Sequence, residues 1–255
     1  MLKKISPILK KFVPITLKEM DSVELMNRRD SKFLFNSKFL PNILEGLIGT
    51  YFLLDINGRK INNYENIYFD TDEKKFYIHH HNGRKNRLKI RMRKYLDSNL
   101  TFFEIKNKNN KSRTIKKRVK IDDLNKFIEK TGRKLILENT MYNPDDIKPV
   151  LNVSFSRLTF VAKDMSERAT LDINLTTSNS TNTTAFNNLV IAELKQDMPN
   201  RKSPFYRLMR RYHIPEFRFS KYCMGMIHAY PELKANRFKT NIMHINKILY
   251  GKSIA

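Results

Sequence analysis

The chain has 255 residues, and 49 Lys and Arg against 25 Asp and Glu give it a formal net charge of +24 at pH 7. A hydrophobic content of 40% excludes a disordered basic tail, and no apolar run reaches the roughly 20 residues that a membrane span needs. The single cysteine excludes a disulfide framework, and the N-terminus lacks the apolar core of a signal peptide, so we expect a folded cytoplasmic protein with a polyanionic partner.

The predicted elements follow from periodicity and from capping residues. In chain order they are helical pieces over 1–23, a strand over 28–35, a helix over 37–47 capped by Ser37, a strand over 64–70, three basic strands within 84–121, a helix over 122–132 that ends at Gly132, strands over 151–162, 168–175 and 189–196, a basic helix over 200–212 and a strand-to-helix segment over 217–226. The Ser/Thr/Asn-rich segment 176–188 is predicted to be a loop. About eight strands with a few helices indicate an α+β fold centred on a β-barrel.

More than half of the excess charge lies in one short part of the chain. Residues 84–120 contain 15 Lys and Arg but only two acids, Asp97 and Glu104. Within this part, cations alternate with apolar residues over 88–93, 103–108 and 116–121, as in strands with one charged face. Because like charges on paired strands repel, three such faces predict either a bound anion or a barrel lumen that holds one. Nucleic acid and polyphosphate both satisfy this requirement.

The later strands repeat the pattern with isolated charges. Arg157 follows apolar residues at even spacing, Arg168 and Asp172 share one strand face, and Glu193 shares another with Lys195. If these faces point inward, they line a lumen with cations and a few acids. Such cations would hold phosphoryl oxygens, and the carboxylates would hold a divalent metal that bridges them.

A set of short motifs also occurs in a distinctive order. These are Arg28-x-Asp30-Ser31-Lys32-Phe33, Tyr68-Phe69-Asp70-Thr71, His80-x-x-Gly83, Lys89-Ile90-Arg91-Met92-Arg93, Phe103-Glu104-Ile105-Lys106, Lys116-Lys117-Arg118, Ser156-Arg157, Glu167-Arg168-Ala169-Thr170-Leu171-Asp172, Ala192-Glu193-Leu194-Lys195 and Phe219-Ser220-Lys221-Tyr222-Cys223. The set resembles the polyphosphate polymerase domain of the VTC (vacuolar transporter chaperone) family. That family belongs to the triphosphate tunnel metalloenzymes, which include the CYTH phosphohydrolases. The resemblance places a tunnel domain at 24–228, between an N-terminal helical extension (1–23) and a C-terminal tail (229–255).

The resemblance implies an antiparallel β-barrel tunnel with peripheral helices, whose basic lumen binds triphosphate. The residues that it implies for catalysis are Lys32, Arg91, Arg93, Lys106, Arg157, Arg168 and Glu193. Those that it implies for substrate binding are Arg28, Lys89, Glu104, Lys116, Arg118, Lys195, Lys221 and Tyr222. Glu193 is also the expected metal ligand, for Mn²⁺ or Mg²⁺, and Glu104 would support that metal or orient Lys106.

The implied reaction is metal-assisted transfer of the γ-phosphoryl group of ATP to a growing inorganic polyphosphate chain. CYTH hydrolases begin with an ExExK strand, whereas this chain has Arg28-x-Asp30-x-Lys32 at that position. Fewer acids near the metal disfavour activation of water, which favours a polymerase over a tunnel triphosphatase that hydrolyses tripolyphosphate or nucleoside triphosphate.

The charge is also consistent with two proteins of a different class, a non-catalytic polyphosphate-binding module and a nucleic-acid-binding protein. The ordered motifs argue against nucleic acid. Relatives that work with membrane-embedded partners imply a separate membrane-protein partner and a peripheral position at the inner face of the membrane.

Two further groups of residues are predicted to be ordinary surface. His79, His80 and His81 are consecutive, so they cannot all face one metal ion, and we expect them to be exposed. Arg207, Arg210 and Arg211 form a basic helix face that is expected to be solvated or to contact an anionic product or membrane.

Overall fold

The computed structural model describes residues 2–21, 29–109, 114–121 and 127–251. The helices are α1 (Leu2–Lys10), α2 (Leu17–Asp21), α3 (Leu40–Leu47), α4 (Lys75–His81), α5 (Arg133–Asn139), α6 (Pro204–Arg211), α7 (Lys221–Ala229) and α8 (Lys239–Tyr250). The strands are β1 (Pro14–Ile15), β2 (Arg29–Asn36), β3 (Tyr51–Leu54), β4 (Asn62–Asp70), β5 (Arg87–Tyr95), β6 (Leu100–Lys108), β7 (Thr114–Ile121), β8 (Lys148–Ala162), β9 (Glu167–Ser178), β10 (Thr183–Ala185) and β11 (Leu189–Gln196).

The strands form one sheet that is antiparallel except where β1 pairs with β3. Its main order is β2-β11-β9-β8-β4-β5-β6-β7, while β3 extends from β8 and β10 from β9. Lys32 on β2 and Lys106 on β6 line the same cavity, although five strands separate β2 from β6 in this order. The sheet therefore curls into a tunnel. Within the described residues, its edge strands β2 and β7 do not pair with each other.

Alternation along β2 shows how one strand serves both a core and a charged lumen. Phe33 and Phe35 are buried in the outer core beneath α1, α3 and α6, whereas Lys32 lines the cavity on the opposite face. Each fully buried side chain of this size contributes about 1.5–3 kcal/mol relative to an exposed one. This apolar layer therefore fixes the backbone that carries the lumen charges.

Helices α7 and α8 fill one end of the tunnel. The buried cluster there combines Leu34, Val153 and Ile191 from the strands with Tyr222 and Met226 from α7. Glycine at position 225 allows α7 to pack closely, because a Cβ there would lie 2.7 Å from a methyl carbon of Leu151 and would force that side chain to shift. The first turn of α7 thereby reaches the charged part of the tunnel.

Much of the predicted secondary structure is confirmed. Strands β5, β6 and β7 form the expected antiparallel meander of basic strands. The predicted helix over 37–47 begins as a 3-10 turn, and its cap is Asn36 rather than Ser37, because the Asn36 side chain accepts the Lys38 N–H. The predicted start of the 122–132 helix lies outside the described residues, as does Arg28.

Three predictions are wrong. Segment 176–188 is largely a hairpin, since Thr176–Ser178 pair with Thr183–Ala185 through backbone bonds that a polar composition does not prevent. Gly132 does not end the predicted helix: it has helical dihedral angles, and the helical segment Phe127–Gly132 leads directly into α5. The histidines lie on α4, where His81 is buried rather than exposed, since the last turn packs against Phe238.

Candidate functional site: a cationic tunnel

The tunnel contains a central cavity of about 200 Å³ with an unusual excess of positive charge. Its lining is Asp30, Lys32, Tyr68, Lys89, Arg91, Arg93, Glu104, Lys106, Arg157, Glu193, Lys195, Phe219, Ser220, Lys221 and Tyr222. Eight of these residues are Lys or Arg and three are acids. So many cations around so small a volume repel one another, and a polyanion in the cavity would relieve that repulsion.

Glu104 organises the cations of the basic meander. Its carboxylate is 1% exposed and accepts from Arg91 Nε at 2.6 Å, while Lys116 Nζ lies 2.8 Å and Arg118 Nε 3.7 Å away. Burial alone would raise the pKa of Glu104, but Arg91, Lys116 and Arg93 overcome that effect and lower it to about 2. Glu104 is therefore ionised and paired with cations from both β5 and β7.

Asp172 pairs two cations that come from different elements. It is 2% exposed and accepts from Arg157 through two bonds, Nε to Oδ1 at 2.6 Å and Nη2 to Oδ2 at 2.9 Å. The ammonium group of Lys221, at the start of α7, also donates to Oδ2 of Asp172. Burial opposes ionisation, yet Arg157 and Lys221 lower the pKa of Asp172 to about 2. The pair Arg157–Lys221 thus shares one buried counter-ion.

Glu193 is the carboxylate best placed to meet a ligand. It lines the cavity, its side chain is 19% exposed, and its oxygens lie 3.1 Å from Lys195 Nζ and 3.6 Å from Lys32 Nζ. Burial would raise the pKa of Glu193, but Lys195, Lys32 and Arg157 hold it well below its ordinary value. The side chain is therefore a carboxylate at neutral pH.

The acid content of the cavity fits only certain divalent cations. Among the described residues, no three His, Cys, Asp or Glu side chains are grouped to hold a metal by themselves. Mg²⁺ is commonly held by one or two carboxylates together with substrate phosphate oxygens and water. Glu193, with Asp30 in the same lining, fits a metal that arrives with a phosphate ligand.

Lys106 should make phosphate binding depend on pH. Burial, Arg91 and Lys195 together lower the pKa of Lys106 to about 7, so its charge is lost as pH rises through neutrality. We expect tripolyphosphate affinity to weaken about tenfold from about pH 6 to about pH 8. Isothermal titration calorimetry on the parent and on Lys106→Met measures this pH dependence. Tripolyphosphate itself also gains protons as pH falls, and the variant reports that contribution alone. Equal slopes in the two proteins would contradict the assignment.

A second, outer cavity of about 670 Å³ adjoins the central one. Lys89, Phe219 and Ser220 line both, and Lys89 Nζ donates to Ser220 Oγ at 2.9 Å between them. As far as the structure describes the chain, the outer lining contains no carboxylate and six cations, which are Lys85, Arg87, Lys89, Lys108, Arg218 and Arg237. His80 also lines it, and burial and Lys89 lower the pKa of that imidazole to about 3. Cationic surface therefore continues beyond the length of the central cavity.

The structure brings most of the sequence-predicted residues together. Those that line the central cavity are Lys32, Lys89, Arg91, Arg93, Glu104, Lys106, Arg157, Glu193, Lys195, Lys221 and Tyr222. Lys116 and Arg118 do not line it but are exposed on β7, where both pair with Glu104. Arg168 lies on β9 between Lys195 and Val161 and does not line the cavity. Arg28 lies outside the described residues, so its predicted role has no structural account.

Sequence reasoning does not select several residues that shape this site. The sequence selects Asp172 only as a carboxylate that would hold a metal, whereas the structure pairs it with Arg157 and Lys221 and leaves it outside the cavity lining. Its pairing with Arg157 depends on strand register, in which the two are directly opposite. Ser220 and Phe219 line both cavities, although their only sequence signal is the motif before α7. Tyr68 is not selected because an isolated tyrosine on a strand is usual core material.

Comparison with known proteins agrees with this geometry. The VTC domain matches residues 27–230. The chain belongs to the VTC domain family. No curated protein matches it significantly. None of the helices in the described part of the VTC chain combines the length and apolar character needed to cross a bilayer.

Solved structures similar to this VTC chain have the CYTH-like tunnel fold. A proposed adenylyl cyclase from Hippeastrum, described as having a dominant triphosphatase activity, is 14% identical with a TM-score of 0.54, and the match covers 80% of this chain and 97% of that one. A proposed adenylate cyclase from Bacillus halodurans is 12% identical with a TM-score of 0.50, and the match covers 84% and 100%. At these identities the likeness establishes the fold, which confirms the predicted antiparallel tunnel with peripheral helices.

Proposed function

We propose that this VTC-domain chain is a polyphosphate polymerase that transfers the γ-phosphoryl group of ATP to an inorganic polyphosphate chain, with Mn²⁺ or Mg²⁺ as cofactor. The observation that carries the proposal is the central cavity, where eight cations face three acids and one of those acids, Glu104, is engaged by Arg91, Lys116 and Arg118. Membership of the VTC domain family supports a phosphoryl-transfer or phosphate-hydrolysing enzyme.

The residues of the cavity can perform such a transfer by positioning and by charge neutralisation. Arg91, Arg93, Arg157 and Lys221 would hold the triphosphate oxygens, while Lys32 would hold the acceptor end of the chain. A terminal oxygen of the acceptor attacks the γ-phosphorus, the bond to the β–γ bridging oxygen breaks, and ADP leaves with that oxygen. Glu193 would hold a divalent metal, which would supply additional neutralisation of the phosphate charge.

The outer cavity favours a polymeric ligand over a single triphosphate. Its six cations continue from Lys89, and the part of the lining that the structure describes has no carboxylate between them, so a phosphate chain longer than the central cavity would still find counter-ions. Electrostatic attraction along such a path holds a repeating anion without recognising a sequence. This arrangement supports a polymeric phosphate as partner, and membership of the VTC domain family favours ATP and polyphosphate over nucleic acid.

A tunnel triphosphatase is the second candidate. The similar structure from Hippeastrum is described with a dominant triphosphatase activity. Asp30 also lines the central cavity beside Lys195 in strand register, so a second acid is present where water could be activated. The choice between the two reactions depends on whether water or phosphate reaches the γ-phosphorus.

A peripheral position at the inner face of a membrane, next to a separate membrane-protein partner, stays a prediction from the family resemblance. The exposed guanidinium groups of Arg207, Arg210 and Arg211 on α6 would suit contact with anionic headgroups. Cosedimentation with vesicles of phosphatidylcholine, with and without phosphatidylserine, measures this contact directly.

The polymerase proposal is tested with purified protein, ATP and either Mn²⁺ or Mg²⁺. We expect ADP to be released together with a long polymer that exopolyphosphatase digests. In a binding assay, we expect tripolyphosphate to displace labelled polyphosphate better than RNA does. Release of free phosphate without polymer would contradict the polymerase proposal and support the triphosphatase. Tight binding of RNA with a steep salt dependence, and no binding of tripolyphosphate, would overturn both candidates.

A further inference from the structure

The first turn of α7 forms an internal wall between the two cavities. Lys221 and Tyr222 line the central cavity, Cys223 and Met224 line the outer one, and Ser220 lines both. The Ser220 hydroxyl caps the helix by accepting the Cys223 N–H. A small displacement of this turn would therefore change the shape of both cavities at once.

Two buried carboxylates hold consecutive residues of this turn. Asp172, on β9, accepts from the ammonium group of Lys221 and forms two bonds with Arg157 of β8. Asp70, at the end of β4, accepts from the hydroxyl group of Tyr222. The turn is thereby fixed from two sides, by strands that lie on either flank of β8 in the sheet.

Asp70 is itself held rigidly. Its side chain is fully buried and accepts the backbone N–H groups of Thr71 and Phe76 at 2.8 Å and of Tyr77 at 3.0 Å. Burial raises the pKa of Asp70, while these bonds and the one from Tyr222 oppose that rise. The bond to Tyr222 thus joins α7 to the start of α4 as well as to β4.

Fold stability alone does not account for this arrangement. The middle of α7 is held by apolar contacts, as with Met226 against the buried cluster of Val153 and Ile191. Buried ion pairs usually stabilise a fold no better than apolar residues of the same volume. At the other end of α7, Asn179 and Asn182 donate to the carbonyl oxygen of Ala229. The two carboxylate anchors lie instead where the first turn faces the cavities, which indicates that they fix the placement of the side chains there.

We propose that Asp172 and Asp70 are positioning residues that lock the first turn of α7, so that the Lys221 ammonium group and the Tyr222 ring form a fixed wall against the bound phosphate chain. The ligand class in this statement rests on the proposed function. Asp172 does not line the central cavity, so it acts through Lys221 and Arg157 and has no direct contact with ligand.

The positioning role of Asp172 predicts an unusual result for a variant that lacks its carboxylate charge. In Asp172→Asn, Arg157 and Lys221 lose their shared counter-ion, but a bound phosphate group can replace it. Ligand affinity should therefore be kept while the placement of the turn is lost. A residue that only stabilises the fold would lose both together.

The test combines three measurements on Asp172→Asn, with exposed Asp146→Asn as the matched control. Hydrogen exchange of the 219–226 amides should accelerate at least about tenfold while amides of the β8 and β9 strands keep their protection. Calorimetry should give one tripolyphosphate site per chain, with a Kd within about threefold of the parent. The kcat should fall about 10–100-fold, since small misplacements of reacting groups cost that much.

A second pair of variants keeps the test decisive if Asp172→Asn folds poorly. Tyr222→Phe keeps the ring but removes the donor to Asp70, and should give the same exchange pattern with a smaller loss of kcat. Asp172→Glu should restore part of the lost kcat. Exchange that accelerates equally throughout the sheet, or a loss of affinity in step with kcat, overturns positioning, as does unchanged exchange at 219–226. If the parent binds no tripolyphosphate, the proposed function fails, while the exchange experiment still decides whether the carboxylates lock α7.

Discussion

Replacing Glu193 with glutamine is expected to lower kcat by about 10³-fold, the loss typical of removing one preorganised electrostatic group from an active site. Glutamine has the same shape but lacks the charge, so it would hold a divalent cation poorly. Lys32 and Lys195, which now lie 3.6 Å and 3.1 Å from the carboxylate, would be released to bind phosphate oxygens. Tripolyphosphate affinity should therefore be unchanged or higher.

Steady-state kinetics with ATP measures the first effect, and calorimetry with metal-free tripolyphosphate measures the second. Binding of Mn²⁺ in the presence of tripolyphosphate, followed by electron paramagnetic resonance, gives a readout that does not need turnover. Glu65→Gln is the matched control, because Glu65 is exposed on β4 and lines neither cavity. If turnover and tripolyphosphate affinity fall in parallel, Glu193 supports the fold of the tunnel and has no special part in transfer.

The sequence predicts the tunnel because its signal is local. Period-two alternation places Arg91 and Arg93 on one face of β5, and the structure has both in the cavity lining. The same alternation predicts that Lys106 on β6 and Glu193 on β11 face the lumen, and both line the cavity. A lumen built from repeated strand faces can therefore be predicted strand by strand, before any strand pairing is known.

Contacts that depend on register, or on helix docking, could not be predicted in this way. Asp172 becomes the partner of Arg157 only because β8 and β9 pair with those two residues opposite each other. Lys221 joins them because α7 enters the tunnel end, a placement set by apolar packing and by Gly225. Lys116 shares the strand period of the lumen cations and lies opposite Lys106, yet it does not line the cavity, since it is exposed on the edge strand β7 and pairs with Glu104.

Removing the charge of Glu104 is expected to have the largest effect on stability. The carboxylate is 1% exposed and compensates Arg91, whose side chain is 15% exposed, together with the more exposed Lys116 and Arg118, so Glu104→Gln leaves the largely buried Arg91 without its counter-ion. Breaking a buried pair in this way costs about 3–5 kcal/mol. For a chain of this size, each kcal/mol lowers Tm by about 2–4 °C, which thermal unfolding can measure.

Two further features separate this effect from general destabilisation. The pKa of Glu104 is lowered from 4.5 to about 2, so its contribution to stability is complete above pH 4.5 and is lost as pH falls towards 2. Glu104→Gln should therefore lose less stability than the parent over that acid range. Exposed Glu138, whose pair with Lys134 spans 3.8 Å, is the control, and Glu138→Gln should cost less than about 0.5 kcal/mol.

Tripolyphosphate should raise the Tm of Glu104→Gln more than that of the parent, because the anion supplies the counter-charge that Arg91 has lost. This follows from the physical role assigned to the whole lumen, in which carboxylates and phosphate compete to neutralise the same cations. A variant that is destabilised but gains no more from tripolyphosphate than the parent would place the Glu104 cluster outside the ligand's reach. The cations of β5 and β6 would then serve the fold alone, and phosphate binding would depend on Arg157, Lys195 and Lys221.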